Sequence, residues 1–85
     1  MVRITRKDPV AGTTTMAVEG RIVSEWIEVV ETECQGLLSQ GQHVLLDFSG
    51  VTFVEAEGVR MIRRLLHNGC GVVNGPPFIQ QLLFT

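Results

Sequence analysis

The chain has 85 residues, of which 45% are hydrophobic and 19% charged, and its formal net charge is −2. This length accommodates a single domain over residues 1–85, and the apolar content excludes a disordered, charge-driven tail. No apolar run approaches the roughly 18 residues of a membrane span, and the negative charge predicts no attraction to nucleic acid. The first ten residues lack the apolar block of a secretory signal, so we expect a cytoplasmic protein.

The N-terminal segment predicts a β-hairpin. Residues 2–5 alternate apolar and polar side chains at the two-residue period of a strand. Residues 8–12 contain a proline, which restricts φ, and a glycine, which permits positive φ, so they supply a turn. Residues 13–18 are rich in β-branched side chains and predict a returning strand that ends at Gly20.

An amphipathic helix is expected next. Ser24 is placed as its N-cap, because a serine hydroxyl can accept a hydrogen bond from an unpaired N–H of the first turn. Glu25 and Glu28 suit the positive end of the helix dipole, and Gly41 ends the helix. Its apolar face comprises Trp26, Ile27, Val30, Cys34, Leu37 and Leu38.

The second half of the chain alternates short apolar strands with helices. The predicted elements are a strand at 44–48, a loop at 49–56, a helix at 57–68, a strand at 70–73 and a helix at 77–84. The unbroken apolar character of the first strand is typical of a strand covered on both faces. The predicted fold class is α/β: a mixed four-stranded sheet with helices packed on it, in the order β-β-α-β-α-β-α. The second helix is expected to bury Val59, Ile62, Leu65 and Leu66.

Residues that could carry catalysis are few and scattered. Motifs of phosphate-binding loops, dinucleotide-binding turns, zinc proteases and serine hydrolases do not occur. Asp47 either has its pKa raised by burial or accepts N–H bonds from the following loop. His43 and His67 have no partner acid or nucleophile, and together with Cys34 and Cys70 they show no metal-ligand spacing. We therefore expect no enzymatic activity, no cofactor, no metal and two reduced cysteines.

A basic stripe follows one side of the second helix. The functional interpretation is a docking surface for an acidic partner or a phosphate group. The alternative is a solvated helix face on which Glu57 and Arg60 pair weakly across one turn. The side chains of the stripe are spaced i, i+3, i+4 and i+7 and comprise Arg60, Arg63, Arg64 and His67.

The most specific pattern lies in residues 46–59. An apolar strand is followed by Asp47-Phe48-Ser49-Gly50-Val51, then by Phe53-Val54, and Gly58 enters the next helix. This segment resembles the STAS family, the domain shared by sulfate transporters and bacterial anti-sigma-factor antagonists. The order of predicted elements is also the one that the family's core implies. The resemblance covers nearly the whole chain, and it implies a signalling module in transcription regulation.

The sequence departs from the family at the start of the second helix. Where the family has Asp-Ser-Ser, this chain has Glu55-Ala56-Glu57. In antagonist members a serine kinase phosphorylates the serine directly before the glycine, which releases the anti-sigma partner. Glu57 occupies that position, so it is either a partial, permanent mimic of phosphoserine, which carries a charge of about −1.5 to −2, or a first-turn acid stabilised by the helix dipole. Ser49 and Thr52 remain as alternative phosphate acceptors.

The chain also departs from the family in length. Typical members continue past the helix at 77–84 into another short strand and a final helix, whereas this sequence ends at Thr85. Apolar surface or a sheet edge left uncovered there predicts self-association, for example as a homodimer, or docking on a partner.

The sequence therefore predicts a non-enzymatic interaction module that resembles an anti-sigma-factor antagonist. The expected partner is a serine-kinase-type anti-sigma factor or another signalling protein. Gly58 is expected to be required because a side chain there would crowd the partner or the sheet, so that bulk weakens binding more than folding. The alternative is a nucleotide or small-ligand module that uses the helix N-termini at Glu57 and Pro77, although Glu55 and Glu57 would repel phosphate. The predicted partner-binding residues are Ser49, Thr52, Glu55, Ala56, Glu57, Gly58, Arg60 and Arg63.

Overall fold

The computed structural model describes residues 2–84 as a mixed four-stranded sheet with three helices. The sheet has the order β1-β2-β3-β4, in which β1 is antiparallel to β2 while β2, β3 and β4 are mutually parallel. The predicted fold class and element order are confirmed. The elements are β1 (Val2–Arg6), β2 (Thr13–Ile22), α1 (Glu25–Ser39), β3 (His43–Val54), α2 (Ala56–His67), β4 (Gly71–Val73) and α3 (Pro77–Phe84).

The core lies on one face of the sheet. Alternate residues of β3 are buried, whereas Leu45 and Asp47 between them are half-buried. The expectation of a strand covered on both faces was therefore wrong, because the helices bury only one face of this sheet. The apolar face of α1 packs into the same core as predicted, and α2 adds Met61, which the sequence analysis had not singled out. Val59 and Leu66, which were expected to be buried, are half-buried. The largest fully buried side chains include Phe48, Met16, Ile22, Leu46, Met61, Ile62 and Leu65.

Two strands are longer than predicted. β2 continues past Gly20 to Ile22, and β3 continues through the segment expected to be a loop as far as Val54. The pairing of β2 with β3 shifts register twice, between Ala17 and Glu19 and again after Gly20, so β3 contributes one extra residue at each shift. A bulge inserts one extra residue into a strand, so β3 stays paired with β2 although its inward and outward side chains do not alternate regularly. Gly20, with φ of 100°, adopts a backbone conformation that other residues rarely take.

The C-terminal elements match the prediction and leave apolar side chains accessible. β4 has only three residues and forms one edge of the sheet. Ile79 and Leu83 bury one side of α3 in the core. Three other large apolar side chains of α3 are each more than a third exposed, namely Phe78, Leu82 and Phe84. Self-association or docking through this region stays a prediction.

Candidate functional site

The helices α1 and α2 begin next to each other, at the C-terminal ends of the central strands β2 and β3. Their preceding strands are parallel neighbours, and the last residues of these strands, Ile22 and Val54, are paired. The backbone N–H of Ser24 donates to Oε1 of Glu55 at 2.7 Å, and the N–H of Glu55 donates to the carbonyl of Ile22 at 3.2 Å. These bonds join the two strand–helix connections. We call the surface formed by residues 53–57 the junction.

Ser24 and Glu55 are joined by a hydrogen bond from a backbone N–H to a side-chain carboxylate. Ser24 precedes α1, but its hydroxyl makes no capping bond, so the predicted side-chain cap was wrong. Its backbone, with φ of 51°, instead directs its N–H to the Glu55 carboxylate. Glu55 is the residue before α2, and its carboxylate is engaged in this bond between the two connections. Glu55 therefore contributes to the architecture of the junction.

Glu57 is the most accessible charge of the junction. Its side chain is 67% exposed and pairs with Arg60 one turn later in α2. The hydrogen bond and positive charge of Arg60 lower the pKa of Glu57, so its carboxylate is ionised at neutral pH. The first turn of a helix also favours a negative charge. The junction thus presents the ionised carboxylate of Glu57, paired with Arg60, next to the exposed Ala56.

Gly58 faces the sheet and is buried. A Cβ atom at this position would lie 2.8 Å from Cγ1 of Val54 and 3.2 Å from the carbonyl oxygen of Ile22. Of the two explanations that the sequence left open, the structure favours crowding of the sheet. The expectation that bulk at Gly58 weakens binding more than folding therefore does not fit its position, because the added atoms would disturb the core first.

Ser49 and Thr52 lie on β3 and not on a loop. Both residues are exposed, and each lies at one of the register shifts between β2 and β3. The N–H of Ser49 donates to Oδ1 of Asp47 at 3.0 Å, and the hydroxyl of Thr52 donates to the carbonyl of Gly20 at 3.4 Å. Both residues fall outside the paired positions of β2 and β3, because each lies in a bulge.

Of the two roles predicted for Asp47, the structure shows the one in which its carboxylate accepts hydrogen bonds from the residues that follow it. The backbone N–H of Ser49 is the main cause of a pKa below the ordinary value, and the side chain of Asn74 adds a second bond at 3.4 Å. The alternative of a pKa raised by burial was wrong, because hydrogen bonds to the charged form outweigh desolvation here.

The basic stripe of α2 is engaged within the molecule. Arg63 donates to the carbonyl of Leu82 at 2.7 Å and so joins α2 to α3. Arg64 makes two hydrogen bonds of 3.2 Å to the carboxylate of Glu31 on α1. Arg60 pairs with Glu57 within α2, as the solvated-face alternative expected, whereas Arg63 and Arg64 join α2 to the other two helices.

Two features of the junction were missed by the sequence analysis. Phe53 is 45% exposed, and the guanidinium of Arg21 lies 5.3 Å from the centroid of its ring. The two bulges break the two-residue alternation after Phe48, since Val51 and Val54 are both buried, so no regular sequence pattern placed Phe53 outside. An open groove of about 600 Å³ also lies beside the junction. Its lining comprises Ser24, Glu25, Ile27, Glu28, Glu31, Thr32, Glu55 and Glu57.

The other candidate chemical groups do not form a site together. His43 lies at the start of β3 and His67 at the end of α2, and both are exposed. Within residues 2–84, no group of three or more potential ligand side chains is arranged to hold a metal ion. Cys34 and Cys70, whose sequence spacing indicated neither a redox pair nor part of a metal site, are brought into contact in the core. None of the helices described is long and apolar enough to cross a membrane.

Comparison with known proteins identifies the fold. No protein-family model and no curated protein matches the sequence. The unphosphorylated form of the anti-sigma factor antagonist SpoIIAA superposes with a TM-score of 0.77 over 94% of this chain and 80% of its own, at 14% identity. An anti-sigma factor antagonist from Mycobacterium paratuberculosis gives a TM-score of 0.68 over 85% of this chain and 64% of its own, also at 14% identity. The structure of Mglu gives 0.65 at 24% identity, over 91% of this chain but 20% of its own. The chain therefore has the STAS-like fold of anti-sigma factor antagonists.

Proposed function

We propose that this chain is a non-enzymatic protein–protein interaction module that acts in signalling as anti-sigma factor antagonists do. The partner in this proposal is a serine-kinase-type anti-sigma factor or a related signalling protein. Recognition takes place at the junction, where α2 begins. Support comes from the STAS-like fold and from the accessible side chains at this position.

The observation that carries the proposal is the combination of an exposed aromatic ring and an exposed charge at the start of α2. Phe53 offers an apolar, rigid contact, and aromatic side chains including Phe are enriched at protein–protein interfaces. Ala56 and Glu57 follow three and four residues later, on the first turn of α2, and are exposed. Glu55 and Arg63, which were also predicted to bind the partner, form hydrogen bonds within the fold, and Gly58 is buried against the sheet.

Glu57 has a defined role in this proposal. Its single charge, which the ion pair with Arg60 partly offsets, makes it a partial, permanent mimic of the phosphorylated serine, so phosphorylation at this position does not switch the module. Because phosphoserine carries about 1.5 to 2 negative charges and three acceptor oxygens, the mimicry is incomplete. Ionisation of Glu57 at neutral pH supports the role, since its pKa is lowered by Arg60.

The nucleotide-binding alternative finds less support. The groove beside the junction has room for a small ligand, but five glutamates line it. Two of these glutamates are paired with arginines: Glu31 with Arg64 and Glu57 with Arg60. Among the described ion pairs, the other three lining glutamates have no arginine partner. An uncompensated negative lining disfavours phosphate groups.

The proposal can be tested by affinity capture from a lysate of the source organism, followed by mass spectrometry. The baits are the wild type, Phe53→Asp and the matched control Val10→Asp. Val10 is 74% exposed in the turn between β1 and β2, at the end of the sheet opposite the junction. We expect a serine-kinase-type protein to be captured by the wild type and the control. Its recovery by Phe53→Asp should fall by about tenfold or more, as for loss of a hot-spot contact.

Two results would contradict the proposal. Equal recovery of the kinase-type protein by Phe53→Asp and Val10→Asp would place its binding surface elsewhere. Failure of every bait to recover such a protein would remove the proposed partner class. A Glu57→Ser bait tests the charge separately: stronger recovery supports mimicry of phosphoserine, whereas unchanged recovery assigns Glu57 to stabilisation of α2 alone.

A further inference from the structure

Cys34 and Cys70 form a contact that the interaction function does not use. Their Sγ atoms lie 3.0 Å apart, although the residues are separated by 36 positions in the sequence. Cys34 lies in the middle of α1, and Cys70 lies immediately before β4. A disulfide bond has an S–S length of about 2.0 Å, so the two sulfurs need to approach by only about 1 Å.

We propose that Cys34 and Cys70 constitute a thiol–disulfide site which, when oxidised, fastens the edge strand β4 to α1. The oxidant is a low-molecular-weight disulfide such as oxidised glutathione. This inference is independent of the proposed partner, because neither cysteine belongs to the junction.

The reaction proceeds by two exchanges. The Cys70 thiol loses its proton to solvent, and its thiolate attacks one sulfur of the small disulfide, which releases one small thiol and leaves a mixed disulfide on Cys70. The Cys34 thiol then loses its proton, and its thiolate attacks the sulfur of Cys70, which forms the protein disulfide and releases the second small thiol. Overall, two protein thiols are oxidised and one small disulfide is reduced to two thiols.

The position of Cys70 explains how an oxidant reaches a buried site. Both cysteines belong to the core, and burial raises the pKa of each thiol, so the closed structure reacts slowly. β4 has only three residues, all paired on one side to β3, and a short edge strand opens more readily than a central one. Opening of β4 exposes Cys70 first, and reclosure brings it back to Cys34.

Oxidation of this pair has a structural consequence. The bond would close a loop that contains the whole of β3 and α2, and a cross-link of this length restricts the unfolded chain substantially. It would also hold the residue next to β4 against α1. We therefore expect the oxidised protein to unfold at a higher temperature, by roughly 10 °C or more, and the amide protons of Val72 and Val73 to exchange more slowly.

The experiment uses the purified full chain with oxidised glutathione, both in buffer and in urea just below the unfolding transition, where opening is frequent. After an acid quench, free thiols are alkylated under denaturing conditions and the intact mass is measured. The expected product is lighter than the reduced protein by two hydrogen atoms and takes up no alkylating reagent. In Cys34→Ala and in Cys70→Ala, each with one thiol left, this product must be absent, so either variant serves as control if the other folds poorly.

Other results would refute the proposal. Wild-type protein that stays fully alkylatable in both conditions, or that accumulates two glutathione adducts or intermolecular dimers, would refute the thiol–disulfide site. An internal disulfide with unchanged exchange of Val72 and Val73 would refute the fastening of β4.

Discussion

A single added methyl group should have opposite effects at two helical glycines of this protein. Gly36 lies on the exposed side of α1, and a Cβ atom there would have no neighbour within 4 Å. Gly58 lies in the first turn of α2, where the same atom would come within 2.8 Å of Cγ1 of Val54 and 3.2 Å of the Ile22 carbonyl. The paired substitutions Gly36→Ala and Gly58→Ala therefore separate helix propensity from packing.

The magnitudes follow from these surroundings. Gly36→Ala should stabilise the fold by roughly 0.5–1 kcal/mol, because alanine loses less backbone entropy in a helix. Gly58→Ala gains a similar amount but incurs an overpacking cost of about 1–3 kcal/mol, since the neighbouring Ile22 carbonyl belongs to the backbone and cannot rotate away. We expect a net destabilisation of about 1 kcal/mol at Gly58 and a separation of about 2 kcal/mol between the two variants.

Urea unfolding followed by circular dichroism measures this difference. For a domain of this size, the slope of roughly 1 kcal/mol per M converts the separation into a shift of about 2 M between the midpoints. Val54→Ala removes the methyl group that Gly58→Ala would meet, so the double variant should be more stable than the sum of the single effects by roughly 1 kcal/mol. If Gly58→Ala unfolds at the same urea concentration as Gly36→Ala, close packing is not the reason for glycine at this position.

Two further predictions concern charged groups. The ion pair of Arg64 with Glu31 should show a coupling free energy of about 0.2–1 kcal/mol in a double-mutant cycle with alanine. Because both side chains contact solvent, this coupling should shrink in about 1 M salt. A coupling that does not depend on salt would contradict its electrostatic origin. The pKa of Asp47 is lowered in the folded protein, so its carboxylate stabilises the fold above its unfolded pKa, and this contribution is lost as the pH falls through the folded value. Asp47→Asn should therefore reduce the free energy of unfolding at neutral pH, with a difference that shrinks towards about pH 2; a difference that grows at acid pH would refute the assignment.

Local sequence patterns were sufficient to predict most of the elements. The apolar residues of α1 recur at helical spacing, and Val30, Cys34 and Leu37 are buried as that spacing requires. The boundaries of α3 follow from Pro77, which suits the first turn of a helix. These features depend on residues close together in the chain, so the order of elements and the STAS-like fold class were accessible from the sequence. The exposed position of Glu57 was accessible in the same way.

The tertiary structure decided the features that depend on distant residues. Ser49 and Gly50 indicate a loop when only their neighbours in the chain are considered, but pairing with β2 and two bulges keep this segment in the sheet. The bond from Ser24 to Glu55 and the contact of Cys34 with Cys70 join residues more than 30 positions apart.

The sequence by itself thus determined the type and order of the elements and the substitution of glutamate at the start of α2. Only the tertiary structure decided that Gly58 faces the core, that the arginines of α2 have partners within the fold, and that Phe53 is exposed. The physical reason is that periodicity and turn chemistry act over a few residues. Burial and side-chain partners are set instead by the way in which complete elements pack against one another.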